Sequence, residues 1–124
     1  MELDQHFVLA LVHLLFVVPL FLFIGVMRSS TPEWLYTAIL LMGVVIFVYH
    51  GFRLIVRLQT RSKYAWVNAI HLLIIAPLLL YIGYYKKDTP RSAYEILLML
   101  AFAAGGYHLY SLVKMLQVYP EPEK

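Results

Sequence analysis

Two stretches decide the fold of this chain: residues 13–58, HLLFVVPLFLFIGVMRSSTPEWLYTAILLMGVVIFVYHGFRLIVRL, and residues 71–116, HLLIIAPLLLYIGYYKKDTPRSAYEILLMLAFAAGGYHLYSLVKML. Aligned at an offset of 58 positions without a gap, they are identical at 16 of 46 positions. Chance matches between apolar segments are mostly leucines, whereas these also include His, Pro, Gly, Thr and Tyr. The matched positions include His13 and His71, Pro19 and Pro77, Gly25 and Gly83, Thr31-Pro32 and Thr89-Pro90, Tyr36 and Tyr94, and Tyr49-His50 and Tyr107-His108. A fixed period indicates an internal repeat, which sets the architecture.

The composition indicates a membrane protein. Of the 124 residues, 62% are apolar and 14% are charged, against roughly 45–50% and 25% in soluble domains. Four runs contain no Asp, Glu, Lys or Arg: residues 6–27, 34–52, 64–85 and 96–113. A helix of about 20 apolar residues crosses the hydrocarbon core of a bilayer. The sequence therefore predicts an all-α integral membrane protein, a bundle of four transmembrane helices with the lipid bilayer as its partner.

The organisation follows from the repeat. We predict helices at about 6–27, 33–57, 64–85 and 91–117, followed by a polar tail over 117–124. Residues 1–124 are then a single transmembrane domain made of two tandem hairpins, about 6–58 and 64–116. Because each hairpin has an even number of spans, both copies enter the membrane from the same face. The copies are therefore expected to be related by a pseudo-two-fold axis along the membrane normal.

The distribution of Lys and Arg near the span ends predicts the orientation, because cytoplasmic loops carry an excess of these residues. The face with both termini and the middle loop has six of them, and the opposite face has four. The six are Arg53, Arg57, Arg61, Lys63, Lys114 and Lys124, and the four are Arg28, Lys86, Lys87 and Arg91. We therefore predict that both termini are cytoplasmic.

Several local patterns predict packing features. In the tight turns, Thr31 is expected to cap the second helix, with Pro32 in its first turn, and Thr89-Pro90 to repeat this before the fourth helix. Pro19 and Pro77, in the middle of their spans, are expected to kink the first and third helices. The small residues 103–106 predict a close helix crossing. Aromatic residues near span ends predict an interfacial belt, namely Trp34, Tyr36, Trp66, Tyr81, Tyr84, Tyr85 and Tyr119.

The histidines are the candidate functional residues. His13 lies about seven residues, on the order of 10 Å, inside the first span, and His50 lies at the matching depth in the second span. The repeat adds His71 and His108, so we expect four imidazoles, one per helix, in a single layer. Ionisable groups inside a span normally face the bundle interior and are candidates for function. Interhelical hydrogen bonding alone is the structural alternative.

Three functional hypotheses use this layer. Haem b needs two axial histidines on facing helices, and Gly43 two turns before His50 would let the ring approach, with Arg53 and Arg57 near the propionates. A transition metal such as Zn, Cu or Ni is also suited to imidazole ligands. Proton or ion conduction is the third hypothesis, in which the histidines titrate and the protein forms an oligomer.

The sequence favours a non-enzymatic role. Acidic residues occur only at termini, in loops or in the first turn of a helix, and no serine or threonine has a nearby base and acid for catalysis. No basic run is long enough to indicate nucleic acid binding. The leading hypothesis is a small membrane protein with a structural, assembly or interaction role, as a homo-oligomer or with another membrane protein. The haem or metal protein is the rival.

Overall fold

The computed structural model describes residues 5–117, and the regular elements in that part of the chain are all helical. Four helices are long and apolar enough to cross a membrane: α1 Gln5–Ser30, α2 Glu33–Gln59, α3 Ala65–Asp88 and α4 Arg91–Leu116. The prediction of an all-helical chain with four such segments is confirmed. Apart from Gln117, the predicted polar tail lies outside the described residues, as does Tyr119 of the predicted aromatic belt.

The helices are distributed over two compact units. One unit is Met27–Glu95, and the described residues of the other are 5–26 and 96–117. In the unit Met27–Glu95, α2 packs along α3. Each unit takes one helix from each predicted repeat, because α2 belongs to the first hairpin and α3 to the second. The hairpin boundaries at 6–58 and 64–116 stay a prediction.

The core of the unit Met27–Glu95 is concentrated towards its tight turns. Its buried apolar side chains are Leu35, Tyr36 and Ile39 of α2, Ala76, Leu79 and Ile82 of α3, and Ala93 and Tyr94 of α4. Elsewhere large apolar side chains are exposed, and Phe16, Leu73 and Phe102 have 75%, 70% and 70% of their surface uncovered. Apolar surface of this extent is typical of a helix that contacts lipid.

Each mid-span proline follows a wider turn of its helix. His13–Val17 in α1 and His71–Ile75 in α3 are π-helical, and they lie just before Pro19 and Pro77. The N–H groups of Val18 and Ala76 donate to the carbonyls of residues five positions earlier. Because proline has no N–H and its ring crowds the carbonyl four residues back, the wider turn is a way for the helix to admit the ring.

The predicted threonine cap is wrong. Pro32, with φ −57° and ψ 141°, occupies the position before α2, and no side chain caps this helix. Thr31 is instead buried, and its hydroxyl lies near the Tyr36 hydroxyl without the geometry of a hydrogen bond. The Thr89 hydroxyl also turns inwards and donates to the Ile82 carbonyl at 3.4 Å. Burial of these threonines thus replaces the capping role that their position predicted.

At Gly83, α3 approaches α2 closely. A Cβ on Gly83 would lie 2.7 Å from the Leu40 Cβ and 2.9 Å from its Cα, so glycine permits this contact. The small residues 103–106 predicted a close crossing in α4, and the structure does not bear this out at its two glycines. A Cβ on Gly105 would make ordinary contact with Val18 at 3.6 Å, and one on Gly106 would meet nothing within 4 Å.

Candidate functional site

The four predicted histidines form two stacked pairs, one in each unit. In the unit that contains residues 5–26 and 96–117, the rings of His13 and His108 stack with their centroids 4.1 Å apart. In the unit Met27–Glu95, the rings of His50 and His71 stack at 4.2 Å. Each pair therefore joins an odd-numbered helix to an even-numbered one. The single layer of four histidines stays a prediction, because the structure describes each pair within its own unit.

Three of these rings are held by an oxygen acceptor. The Nδ1 atoms of His13 and His71 lie 2.8 Å from the Leu9 carbonyl and 2.7 Å from the Val67 carbonyl, each four residues earlier in the same helix. The Nδ1 of His50 lies 2.8 Å from Oδ1 of Asn68. Because a carbonyl oxygen only accepts, Nδ1 carries the hydrogen in these contacts. Nε2 of a neutral ring held in this way keeps its lone pair.

Asn68 distinguishes the two histidine pairs. Its side chain is 2% exposed, and Nδ2 has no hydrogen-bond partner among the described residues. The position equivalent to Asn68 at the offset of 58 is Ala10, which is 1% exposed and has no polar side-chain atom. A buried donor without a partner costs about 1–3 kcal/mol. The His50–His71 pair therefore carries a spare donor that the His13–His108 pair lacks.

Buried tyrosines form a second polar cluster. Tyr36 and Tyr94, separated by the repeat offset of 58, have their hydroxyl oxygens 2.8 Å apart. Tyr36 donates to the Arg28 carbonyl at 2.8 Å, and Tyr94 donates to the Lys86 carbonyl at 3.1 Å. Arg28 and Lys86 have φ angles of 52° and 53°, a left-handed conformation that is uncommon outside glycine. The tyrosines thus fasten two strained turns.

The tyrosine cluster has fewer hydroxyl hydrogens than hydrogen-bonding contacts. Each hydroxyl has one hydrogen, whereas the cluster has two contacts to carbonyls and one between the hydroxyls. When both hydroxyls donate to carbonyls, the contact between Tyr36 and Tyr94 contains no hydrogen. When either hydroxyl donates to the other, one carbonyl loses its tyrosine donor. This geometry is suited to holding the two turns.

Sequence reasoning placed Tyr36 in the interfacial belt, which is wrong, because this side chain is fully buried. It named Tyr94 only as a match of Tyr36 in the repeat, and it did not mention Asn68. The signal for the tyrosines was present in their identity at the repeat offset. The signal for Asn68 was the exchange of an amide for Ala10 between the two copies of an apolar span.

The two ends of the unit Met27–Glu95 differ in charge. At its turn end, which comprises residues 27–36 and 84–95, Lys86 pairs with Glu33 at 2.7 Å and Arg91 with Glu95 at 2.8 Å. At its loop end, residues 50–71, the basic residues are Arg53, Arg57, Arg61 and Lys63, and there is no Asp or Glu from 34 to 87. Carboxylates from the unit itself therefore offset three of the four positive charges at the turn end and none at the loop end.

Within residues 5–117, no three His, Asp or Glu side chains come together in a group that could hold a metal ion. Stacked imidazoles in contact also leave no room for a porphyrin between the two rings of a pair. Comparison with protein-family models, curated proteins and solved structures finds no match for this chain.

Proposed function

We propose that this chain is a small, non-enzymatic, four-span integral membrane protein with a structural, assembly or interaction role. The observation that carries the proposal is that polar side chains within the spans bind one another or the backbone. Tyr36 and Tyr94 bind the carbonyls of Arg28 and Lys86. His50 binds Asn68, and His71 binds a carbonyl of its own helix. Hydrogen bonds between transmembrane helices hold such bundles together in an apolar solvent.

We further propose that two tandem hairpins build the bundle around a pseudo-two-fold axis along the membrane normal. Local structures that recur at the offset of 58 support this proposal. The π-helical turns begin at His13 and His71, and the left-handed residues of the tight turns are Arg28 and Lys86. An axis relating the copies would pass near the contact between Tyr36 and Tyr94, since each is the equivalent of the other.

The proposed topology has both termini and the α2–α3 loop on the cytoplasmic face. The chain contains no cysteine, so single cysteines report position without a background. We expect a membrane-impermeant maleimide to label Ser30→Cys from outside intact cells and Ser62→Cys only after the membrane is opened. Labelling of both from the same side would contradict the four-span topology.

The structural role is tested by purification in a mild detergent, with measurement of the particle mass and identification of bound proteins. We expect a homo-oligomer or a complex with another membrane protein, because a scaffold acts through contacts with other chains. A protein that remains a lone monomer, in detergent and in lipid nanodiscs, would contradict the proposal.

A transition-metal protein is the second candidate, and the orientation of the histidines favours it. Histidine ligands of metals usually donate their other ring N–H to a carbonyl or carboxylate, and His13, His50 and His71 have an oxygen acceptor at Nδ1. Expression with Zn²⁺, Cu²⁺ or Ni²⁺ and elemental analysis of the purified protein test this candidate. One metal ion per chain that is lost in His50→Ala would favour it over the structural role, and an absorption spectrum separates a haem from a directly bound ion.

A further inference from the structure

The loop end of the unit Met27–Glu95 is rich in hydrogen-bond donors. Arg53 and Arg57 follow His50 by three and seven residues, which places all three on one face of α2. Both arginines are half-buried. Arg57 donates from Nη1 to the Tyr64 carbonyl at 3.2 Å, immediately before the start of α3. The amino end of a long helix adds its own N–H groups and positive dipole at this point.

Asn68 extends this set of donors one turn deeper. It lies four residues beyond Tyr64, or about 6 Å along α3. Its Oδ1 is used by His50, so the contact with this histidine does not explain why Nδ2 is buried without a partner among the described residues. An unsatisfied buried donor in a native protein calls for a specific explanation, and here it makes the interior beneath the arginines polar.

The equivalent positions of the other histidine pair carry none of these donors. Arg53, Arg57 and Asn68 correspond to Ser111, Met115 and Ala10, respectively. All three differences add N–H donors beside the His50–His71 pair, and two of them add positive charge. Helix packing alone does not explain why all three differences place hydrogen-bond donors beside the His50–His71 pair.

On the basis of the membrane placement proposed above, we infer that the loop end binds the phosphate of an anionic phospholipid. Arg53 and Arg57 hold the phosphate at the membrane interface, since guanidinium groups match phosphate oxygens in charge and geometry. Juxtamembrane Lys and Arg residues attract anionic lipids, and the loop end has no carboxylate of its own segment to compete.

The test uses the full chain in mild detergent. Short-chain phosphatidylglycerol, phosphatidylcholine of equal chain length and inorganic phosphate are titrated separately, and the thermal midpoint is followed, because a ligand that binds the native state raises it. We expect phosphatidylglycerol alone to raise the midpoint. Its apparent affinity should fall about thirtyfold in Arg53→Ser/Arg57→Met and change little in Asn68→Ala, because the lipid cannot reach the buried Nδ2; both changes copy the other pair.

The matched control is Lys87→Met, which removes a positive charge at the turn end and should leave the affinity unchanged. Equal responses to the two lipids, or an equal loss of affinity in Lys87→Met, would overturn the inference. A response to inorganic phosphate equal to that of the lipid would overturn the lipid assignment in favour of free phosphate. If Asn68→Ala does not fold, the two arginine changes at the helix end carry the test. If cysteine labelling shows the four-span topology but the protein does not prefer phosphatidylglycerol, this inference is refuted and the proposed topology stands.

Discussion

The turn end and the loop end of the unit Met27–Glu95 use the same two helices in different ways. At the turn end the side chains of Tyr36 and Tyr94 are buried and lysine and arginine pair with glutamates, and next to this end α2 and α3 touch at Gly83 and Leu40. At the loop end His50 and His71 are half-buried, and Asn68 keeps a spare donor. We therefore attribute much of the stability of the unit to the turn end and propose the loop end as the site of the ligand.

The largest loss of stability is expected from a change at the contact between Gly83 and Leu40. Gly83→Ala would place a Cβ 2.7 Å from the Leu40 Cβ, so the helices must separate, at a cost of about 1–3 kcal/mol. The matched change at the loop end is Gly51→Ala, where a Cβ would meet Leu72 at an ordinary 3.6 Å, and we expect little loss there. Unfolding in mixed detergent micelles measures both. Equal losses would break the distinction between the two ends.

The tyrosine cluster is expected to have the next largest effect. Tyr36→Phe and Tyr94→Phe each remove one donor to a turn carbonyl, and each should cost about 1 kcal/mol of stability. The cost is modest because the Arg28 and Lys86 carbonyls still accept from the N–H groups of Thr31 and Thr89. The control is Tyr49→Phe, at an exposed position of α2. A loss from Tyr49→Phe as large as from Tyr36→Phe would show that the cluster does not fasten the turns.

Asn68→Ala sharpens the comparison at the loop end, because it converts one histidine pair to the pattern of the other. The change removes the hydrogen-bond acceptor of His50, which destabilises the protein. It also removes a buried donor without a partner, which stabilises the protein, so the two contributions to the free energy of unfolding offset each other. We expect a net change below about 1 kcal/mol in lipid-free detergent. The reverse change, Ala10→Asn, buries a new amide and should be the more damaging of the two. A loss above about 2 kcal/mol for Asn68→Ala would mean that its amide is already satisfied.

The smallest loss of stability is expected from breaking the ion pair between Lys86 and Glu33 at the turn end. Lys86 and Glu33 are 43% and 60% exposed, and exposed pairs contribute little because water and salt screen them. Glu33→Gln should therefore leave the thermal midpoint nearly unchanged, with any difference removed in high salt. A clear loss that persists in high salt would place this pair among the main supports of the turn end.

The sequence predicted the helical class and four segments long enough to span a membrane, because these depend on local properties. Runs of about 20 residues without charge have few alternatives to a helix in a bilayer. The offset of 58 likewise pointed to His13, His50, His71 and His108, and all four lie in ring contacts in the structure. The repeat period and the hydropathy can be determined from the sequence without knowing which residues are in contact in the folded protein.

The partner of each side chain was decided only by the tertiary structure. The sequence placed Thr31 as a cap and Tyr36 at the interface, yet both turn inwards, because α2 and α3 approach closely and bury this end of the unit. The pairing of His50 with His71 and Asn68 depends on contact between residues at least 18 positions apart. Periodicity defines the face of a helix, whereas the packing of a second helix against that face determines which groups meet there.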